Sequence, residues 1–240
     1  MSKVKMDIDR QVQPDAAELR SFGRRRGRKL SARQEMLLRQ GQARATFDLG
    51  HEPPADIAAL FPTAVDEVWL EIGFGGGEHL LWQAARNPRT GIIGCEPFRD
   101  GVVKVLDAIE TTRSPNILVH PDDARPLLRW LPPASVGRTF ILFPDPWPKA
   151  RHRKRRLINI QLLDLLARVM PAGAELRVAT DIGDYARGIL AAVYRQRSFQ
   201  WLAKGPRQWR ERPEDWPETR YERKAIAAGR RCYYLAFCRQ

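Results

Sequence analysis

The feature that most constrains the fold is a regular alternation of short apolar segments with longer amphipathic ones, beginning near residue 67. Short apolar segments bounded by glycine, proline or polar residues are typical of β-strands. They occupy residues 68–72, 91–95, 116–119, 139–143 and 175–179, and residues 232–238 form a further, more aromatic one.

The segments between these strands carry apolar residues at helical spacing. They are residues 79–86, 100–109 and 185–194, a helix holding Leu127, Leu128 and Leu131, and a long helix with Leu157, Ile160, Leu163, Leu166 and Met170 on one face. Strands that alternate with helices build βαβ units with right-handed crossovers. We therefore predict a Rossmann-like α/β fold with a mostly parallel central sheet and helices on both faces.

The amino-terminal region differs from the rest of the chain in charge. Residues 20–44 carry nine Lys or Arg residues and one acid, Glu35, and few apolar side chains interrupt the first half of this run. Such a run is typical of an extended arm that does not fold by itself. We predict a basic, partly flexible arm at residues 1–50 and one folded domain at residues 51–240.

The whole chain is strongly basic, with 41 Lys and Arg against 28 Asp and Glu and a formal net charge of +13. This balance favours a nucleic acid partner, although a generally arginine-rich proteome would produce it too. Cys95, Cys232 and Cys238 lack the spacing of a disulfide framework or a zinc site, and we expect no metal. Without an export signal or a long apolar stretch, the chain is expected to be cytoplasmic, with no membrane partner.

A glycine-rich turn follows the first strand. Gly73, Gly75 and Gly77 permit a tight turn and a close backbone approach by a ligand. Glu71 precedes the turn, and Glu96 closes the second strand about 20 residues later, where a carboxylate can accept hydrogen bonds from both ribose hydroxyls. The alternative is a glycine-rich turn that binds nothing.

The details of this turn favour S-adenosylmethionine (SAM) over a dinucleotide. The dinucleotide fingerprint needs a third glycine at its sixth position, which holds Glu78 or Leu80 here, depending on where the count begins. A carboxylate beside the turn suits a ligand with a cationic sulfonium and an amino-acid end. After the third strand, Asp123 is a candidate for the adenine amino group, or a helix N-cap, or both.

A proline-rich segment, residues 143–149, follows the fourth strand. Its three prolines restrict the backbone, so that Asp145 is expected where the donor methyl group would lie, and Trp147 offers an aromatic ring able to stack on a base. Six positive charges follow within residues 149–156, which suits a phosphate backbone but also an ordinary solvated surface. His152 is interpreted as an RNA contact or a surface residue rather than a catalyst.

Taken together, these segments resemble the bacterial tRNA (guanine-N7)-methyltransferase family of class I SAM-dependent enzymes. The resemblance covers roughly residues 70–237 and depends on the motifs LEIGFGGGEHL, GCEP, DDA, ILFPDPWPKARHRKRRL, ATD and TRYERK, in that order. PDPWPK joined to RHRKRRL is the most specific of these. The family transfers a methyl group from SAM to N7 of a guanosine in the variable loop of tRNA, conventionally position 46.

The resemblance also implies roles for individual residues, with Asp145 as the catalytic residue. The SAM site would be lined by Glu71, Gly73, Gly75, Gly77, Glu96, Asp123 and Asp145. The substrate would be met by Lys149, Asp181, Thr219, Arg220, Tyr221 and Glu222. RNA would be contacted by Arg151, His152, Arg153, Lys154, Arg155 and Arg156.

Two alternatives remain at this point. One is a SAM-dependent methyltransferase with another RNA or a protein as its target. The other is a non-catalytic RNA-binding protein on the same fold, which the presence of Glu71, Glu96 and Asp145 argues against. The expected partner is tRNA, and the expected oligomeric state is a monomer or a homodimer.

Overall fold

The computed structural model describes residues 23, 25, 27, 29–45 and 49–240, with the backbone alone at 40–45. In this part of the chain seven strands form one sheet: β1 (Glu67–Ile72), β2 (Thr90–Cys95), β3 (Ile117–His120), β4 (Arg138–Leu142), β5 (Glu175–Thr180), β6 (Phe199–Trp201) and β7 (Tyr233–Arg239). The α-helices are α1 (Ala32–Ala45), α2 (Glu78–Arg86), α3 (Arg99–Thr112), α4 (Ala124–Trp130), α5 (Ile160–Val169), α6 (Gly183–Gln196), α7 (Arg207–Arg210) and α8 (Arg220–Ala227). Short 3-10 helices occupy Ile57–Leu60 and Ala150–Arg155.

The strand order is β3-β2-β1-β4-β5-β7-β6. The first five strands pair in parallel, whereas β7 runs antiparallel to both β5 and β6. The order reverses between β1 and β4, so their carboxyl ends open a crevice in which α/β sheets bind ligands. The predicted mostly parallel sheet is confirmed.

Successive residues of each central strand point to opposite faces of the sheet and enter two separate cores. Leu70 and Ile141 pack in one core with α4, α5 and α6. Trp69 and Phe140 pack in the other with residues of α2, α3 and α8. The prediction of helices on both faces is therefore also confirmed, and the two cores hold the strand ends, and with them the crevice, in place.

The long helix predicted from Leu157 to Met170 is shorter than expected. A separate 3-10 helix occupies residues 150–155, and α5 begins only at Ile160. The cause is Asn159, whose side-chain oxygen accepts a hydrogen bond from the Leu162 amide at 3.0 Å and caps the helix there. Leu157 therefore lies before the helix rather than on its apolar face.

The second half of the basic amino-terminal run is also not extended. Residues 32–45 form α1, with Leu37 and Leu38 buried, and Arg33 pairs with Asp107 of α3 at 2.7 Å. Burial of these two adjacent leucines against apolar residues stabilises the helix despite the surrounding positive charge. Arg20, Arg24, Arg26 and Arg28 lie outside the described residues. Among those described, no helix is long and apolar enough to cross a membrane.

Candidate active site

The turn between β1 and α2 has the backbone that its glycines predict. Gly73, Gly75 and Gly77 have φ values of 80°, 57° and 83°, in the left-handed region that favours glycine. A Cβ at Gly77 would lie 2.3 Å from a methyl carbon of Val105, and a Cβ at Gly101 would lie 2.1 Å from the Gly75 carbonyl oxygen. The amino end of α3 therefore packs directly on this loop, which we call the glycine loop (residues 73–77).

Glu96 closes the other side of the glycine loop. Its two carboxylate oxygens accept hydrogen bonds from the backbone amides of Gly75, at 2.8 Å, and Phe98, at 2.9 Å. Burial raises the pKa of Glu96 and these hydrogen bonds oppose the rise, while the negative charges of Asp145 and Glu71 raise it further. Glu96 thus feels the charges of two further carboxylates beside the glycine loop, an arrangement that favours a cationic ligand.

Glu71, at the end of β1, is almost completely buried and bonded to His79 of α2. The Nδ1 atom of His79 donates to Glu71 Oε2 at 2.7 Å, and Gln83 Nε2 donates to the other ring nitrogen at 3.1 Å. Gln83 Nε2 also donates to the Asp215 carbonyl at 2.8 Å. This set of partners is satisfied by a neutral imidazole with its proton on Nδ1. His79 and Gln83 therefore fix the orientation of the Glu71 carboxylate.

Asp123 caps α4. Its carboxylate accepts from the Arg125 backbone amide at 2.9 Å and from the Arg125 guanidinium at 2.8 and 2.7 Å. Burial alone would raise the pKa of Asp123, but the hydrogen bonds and charge of Arg125 outweigh it, and the pKa is lowered. The helix-cap interpretation is confirmed, whereas the adenine contact stays a prediction. The neighbouring Asp122 is exposed and pairs with Arg25 at 2.9 Å.

Asp145 lies on a backbone segment, residues 143–147, that is strained at both ends. Phe143 and Trp147 have φ values of 50° and 40°, which non-glycine residues rarely adopt. The Phe143 amide donates to the Ala179 carbonyl at 2.8 Å, which ties the segment to the end of β5. The Asp145 side chain is exposed in the free protein, yet the surrounding residues desolvate it enough to raise its pKa. Asp145 thus stands at the mouth of the crevice on a rigid support.

The basic run folds as the 3-10 helix Ala150–Arg155, directly after this segment. Lys149, Arg151, Arg153 and Lys154 are exposed. The guanidinium of Arg155 lies 5.0 Å from the centre of the Trp147 ring. The centres of the His152 and Trp147 rings lie 5.9 Å apart, and the two rings meet edge to face. Burial lowers the pKa of His152, and the charges of Arg155 and Lys149 lower it further.

Arg156 differs from the other members of the run because only 9% of its surface is exposed. Its guanidinium is engaged by the Pro146 carbonyl and by Asp184 of α6. A groove of about 680 Å³ is lined by Arg153 and Lys154 together with Arg187 and Arg195 of α6, and the paired Arg156 and Asp184 also contribute to its wall. The exposed cations of the loop therefore continue onto α6.

The predicted substrate residues near the carboxyl terminus fall into two groups. Tyr221 reaches the glycine loop, since a Cβ at Gly75 would lie 3.1 Å from its ring, and Arg220 lies 5.5 Å from that ring. Thr219 and Glu222 are buried instead. Thr219 caps α8 by accepting from the Glu222 amide at 3.2 Å, and Glu222 accepts from the Tyr234 hydroxyl at 2.5 Å.

Asp181, at the end of β5, is paired in the free protein. Its carboxylate accepts from Arg230 Nε at 2.6 Å, and the Asp181 side chain is about one-fifth exposed, at 19%. It stands at the end of the strand beside β4, which leads into the Asp145 segment. A substrate that uses Asp181 must therefore displace or share Arg230.

Comparison with known proteins assigns this chain to a family. A family model described as "Putative methyltransferase" matches residues 66–235. A tRNA (guanine-N(7)-)-methyltransferase of Rhodospirillum rubrum is 48% identical, with 93% of this chain and 89% of that protein covered. One of Mesorhizobium japonicum is 46% identical, with 91% and 94% covered. The chain belongs to the tRNA (guanine-N(7)-)-methyltransferase family.

Solved structures agree with this tRNA (guanine-N(7)-)-methyltransferase family assignment at the level of the fold. A 16S rRNA methyltransferase, KamB, is 20% identical and has a TM-score of 0.57, with 79% of this chain and 96% of that chain covered. An antibiotic-related methyltransferase is 16% identical and has a TM-score of 0.52, with 73% and 89% covered. The Rossmann-like methyltransferase fold predicted from the sequence is confirmed.

In this tRNA (guanine-N(7)-)-methyltransferase family member, His79 and Gln83 are further candidate site residues: His79 lies within the LEIGFGGGEHL motif but received no role from the sequence, and Gln83 lies outside it. Their sequence signal is the spacing of four residues on α2, directly behind the glycine loop, which puts both side chains on one helix face. Among the residues that the structure describes, no group of His, Cys, Asp or Glu side chains is arranged to hold a metal ion.

Proposed function

We propose that this chain transfers a methyl group from SAM to N7 of a guanosine in the variable loop of tRNA, at position 46. The observation that carries the proposal is a juxtaposition. Glu71 and Asp145 lie close enough to Glu96, beside the glycine loop, for their charges to act on it, and the basic 3-10 helix follows Asp145 directly along the chain. The first arrangement suits a cationic cofactor, and the second suits a polyanionic substrate.

The residues around the glycine loop fit SAM. The left-handed turn at Gly73, Gly75 and Gly77 lets the backbone of the loop approach a ligand closely, because these three positions carry no side chains. Each Glu96 oxygen uses one acceptor site on the backbone and keeps another for a ribose hydroxyl. Asp123 stands at the adenine end. SAM supplies an electrophilic methyl group on a positively charged sulfur, which nearby carboxylates stabilise electrostatically.

Methyl transfer to N7 depends on alignment of the reacting atoms more than on proton transfer. N7 of neutral guanine carries a lone pair and no proton, so the displacement requires no general base. Methylation makes the base cationic, and the Asp145 carboxylate stabilises the developing charge or holds the N1 and N2 hydrogens. Its rigid support serves either role, because the reacting atoms must be held close and in line. Asp181 and Tyr221 flank the same crevice and are proposed to hold the nucleotide.

The exposed cations of the 3-10 helix are proposed to bind the tRNA backbone. If they neutralise about four to six phosphates, the logarithm of tRNA affinity falls with the logarithm of salt concentration at a slope of roughly −3 to −5. Lys154→Ala is expected to make that slope shallower by about 1 with SAM affinity unchanged. The measurement is a filter-binding or fluorescence titration at several salt concentrations.

The matched control for this salt series is Lys104→Ala, an exposed lysine of α3 on the other face of the sheet. Its slope should equal that of the unaltered protein. Neutralising Arg151, Arg153, Lys154 and Arg155 together gives the strongest test. An unchanged slope in that variant would show that the basic run is only a solvated surface.

The target atom is tested with unmodified tRNA in which position 46 carries either guanosine or 7-deazaguanosine. The deaza base keeps the Watson–Crick edge but has carbon in place of N7, so methyl transfer from labelled SAM should be lost completely. Persistent transfer to the deaza substrate would move the target to another atom. Absence of transfer to either tRNA would favour a non-catalytic RNA-binding protein. A reaction on tRNA is expected to take place in the cytoplasm.

A further inference from the structure

We infer that Arg156 is a positioning residue for Asp145 and not a tRNA ligand, although it belongs to the basic run. Its guanidinium holds the proline-rich segment through the Pro146 carbonyl, next to Asp145. The inference rests on the proposed function, because it assigns a part in methyl transfer to a residue that sequence alone places among the RNA contacts.

The contacts of Arg156 use its guanidinium in several directions. Its Nε atom donates to the Pro146 carbonyl at 2.9 Å, and an Nη atom donates to Asp184 Oδ2 at 2.7 Å. The flat face of the guanidinium lies 4.7 Å from the centre of the Tyr185 ring. Because the side chain is 9% exposed, a phosphate would have to displace Asp184 from a nearly buried cation.

The Pro146 carbonyl is the point at which Arg156 holds the strained backbone next to Asp145. It belongs to the peptide unit that follows Pro146, within the segment whose ends, Phe143 and Trp147, have left-handed φ values. Strained backbone persists only where the surrounding structure holds it. The Phe143 amide is held by the Ala179 carbonyl at one end, and Arg156 supplies a side-chain hydrogen bond near the other.

The anchor is itself tied to the body of the domain. The hydrogen bond from Arg156 lowers the pKa of Asp184, against the effect of burial, and the charges of Arg153 and Arg187 lower it further. Tyr185 accepts a hydrogen bond from the Ile158 amide at 3.1 Å, and burial raises the pKa of its hydroxyl to about 12. The Asp145 segment is thereby connected to α6 through Asp184, which stays negatively charged across the physiological pH range, and Tyr185, which stays neutral.

Arg153 shows how the two roles are divided. It is exposed and shares the Asp184 carboxylate, donating to the other oxygen at 3.1 Å. A phosphate can take Arg153 away from Asp184 while Arg156 keeps its own oxygen of that carboxylate. Neighbouring cations of one run therefore have separate tasks: Arg153 faces the solvent and Arg156 faces the Asp145 segment.

The test compares Arg156→Gln, Arg156→Lys and Asp184→Asn with the unaltered protein. Each variant is measured for single-turnover methylation of unmodified tRNA at saturating enzyme and SAM, and for tRNA affinity across a salt series. We expect Arg156→Gln to slow the single-turnover step about tenfold or more, because a small misplacement near the reacting atoms is costly. The salt slope and SAM affinity should stay unchanged. Lysine restores the charge but not the two-directional fork, so its rescue should be partial.

Asp184→Asn keeps every cation of the run and removes the charge that orients Arg156, together with the ion pairs that Asp184 makes with the exposed Arg153 and Arg187. It should slow the same step without making the salt slope shallower, and it serves as the second variant if Arg156→Gln unfolds. Lys104→Ala is the control that should change neither quantity. Thermal unfolding of each variant verifies that the fold is retained.

The opposite pattern would overturn the inference. If Arg156→Gln or Asp184→Asn methylates at the unaltered rate, or if Arg156→Gln makes the salt slope shallower by about 1 as a lost phosphate contact would, Arg156 is not a positioning residue. The activity of the unaltered protein distinguishes failure of the role inferred for Arg156 from failure of the proposed function. Failure of the unaltered protein to methylate N7 would contradict the function itself, whereas normal activity beside unaffected variants contradicts only the role of Arg156.

Discussion

Asp145→Asn is expected to lower kcat by about 10²–10³-fold, the range seen when one preorganised electrostatic group is lost. The substitution keeps the size of the side chain and one acceptor oxygen but removes the negative charge. Because the Ala179 carbonyl and the Arg156 guanidinium hold the backbone of this segment from outside, folding and tRNA affinity should change little. The loss corresponds to about 3–4 kcal/mol of activation free energy.

The deciding measurement is single-turnover methylation of unmodified tRNA at saturating enzyme and SAM, with steady-state KM values determined in parallel. A fall in kcat alone indicates that Asp145 stabilises charge in the transition state, whereas a rise in KM with a smaller change in kcat indicates a role in holding SAM or guanine. Asp164→Asn, an exposed aspartate of α5, is the matched control. A near-normal single-turnover rate for Asp145→Asn would remove Asp145 from catalysis.

Glu96→Ala is expected to weaken SAM binding by ~1.5–3 kcal/mol, the cost of losing hydrogen bonds to a charged acceptor. This corresponds to a dissociation constant about ten- to 150-fold higher. Two causes act together. The ribose hydroxyls lose their acceptor, and the amides of Gly75 and Phe98 lose the carboxylate that now holds the glycine loop against α3.

Isothermal titration calorimetry with SAM measures the change, and Glu110→Ala, an exposed glutamate of α3, controls for a general loss of charge. Glu96→Gln separates the two causes. The amide retains one oxygen but offers a donor to whichever backbone amide faces its nitrogen, so the loop should lose support while one ribose contact survives. A folded Glu96→Ala protein with unchanged SAM affinity would show that Glu96 lies outside the site.

The sheet and the glycine loop were predictable because the signals that define them are local. Residues 68–72 are apolar except for Glu71, which indicates a strand buried on both faces, and the three glycines follow at once. The order of acidic residues along the chain then placed Glu71, Glu96 and Asp145 at neighbouring strand ends. In a parallel sheet the carboxyl ends of neighbouring strands lie at the same edge, so these three residues could be placed near one another without knowledge of side-chain contacts.

Features that depend on distant partners were not predictable in the same way. Arg156 looks like its neighbours in the basic run, and it is distinguished by its burial and by its hydrogen bond to the Pro146 carbonyl, which the sequence does not reveal. Glu222 lies in a polar stretch, yet the Tyr234 hydroxyl of β7 holds it in the interior. Thr219 and Glu222 do carry a local signal, since their spacing is that of a capping box and predicts the start of α8.

The insertion of β7 between β5 and β6 has a consequence for how the protein matures on the ribosome. β6 is synthesised before β7 but has no sheet partner until β7 arrives, because β7 separates it from β5. The helix that carries Tyr221 is tied to the same last strand through Glu222 and Tyr234. Residues 67–96, which build the glycine loop and Glu96, leave the ribosome more than a hundred residues earlier. The residues that build the glycine loop are therefore synthesised long before the strand that holds β6 and Glu222 in place. We expect deletion of residues 233–240, which removes all of β7, to disturb the helix that carries Tyr221 more than the glycine loop.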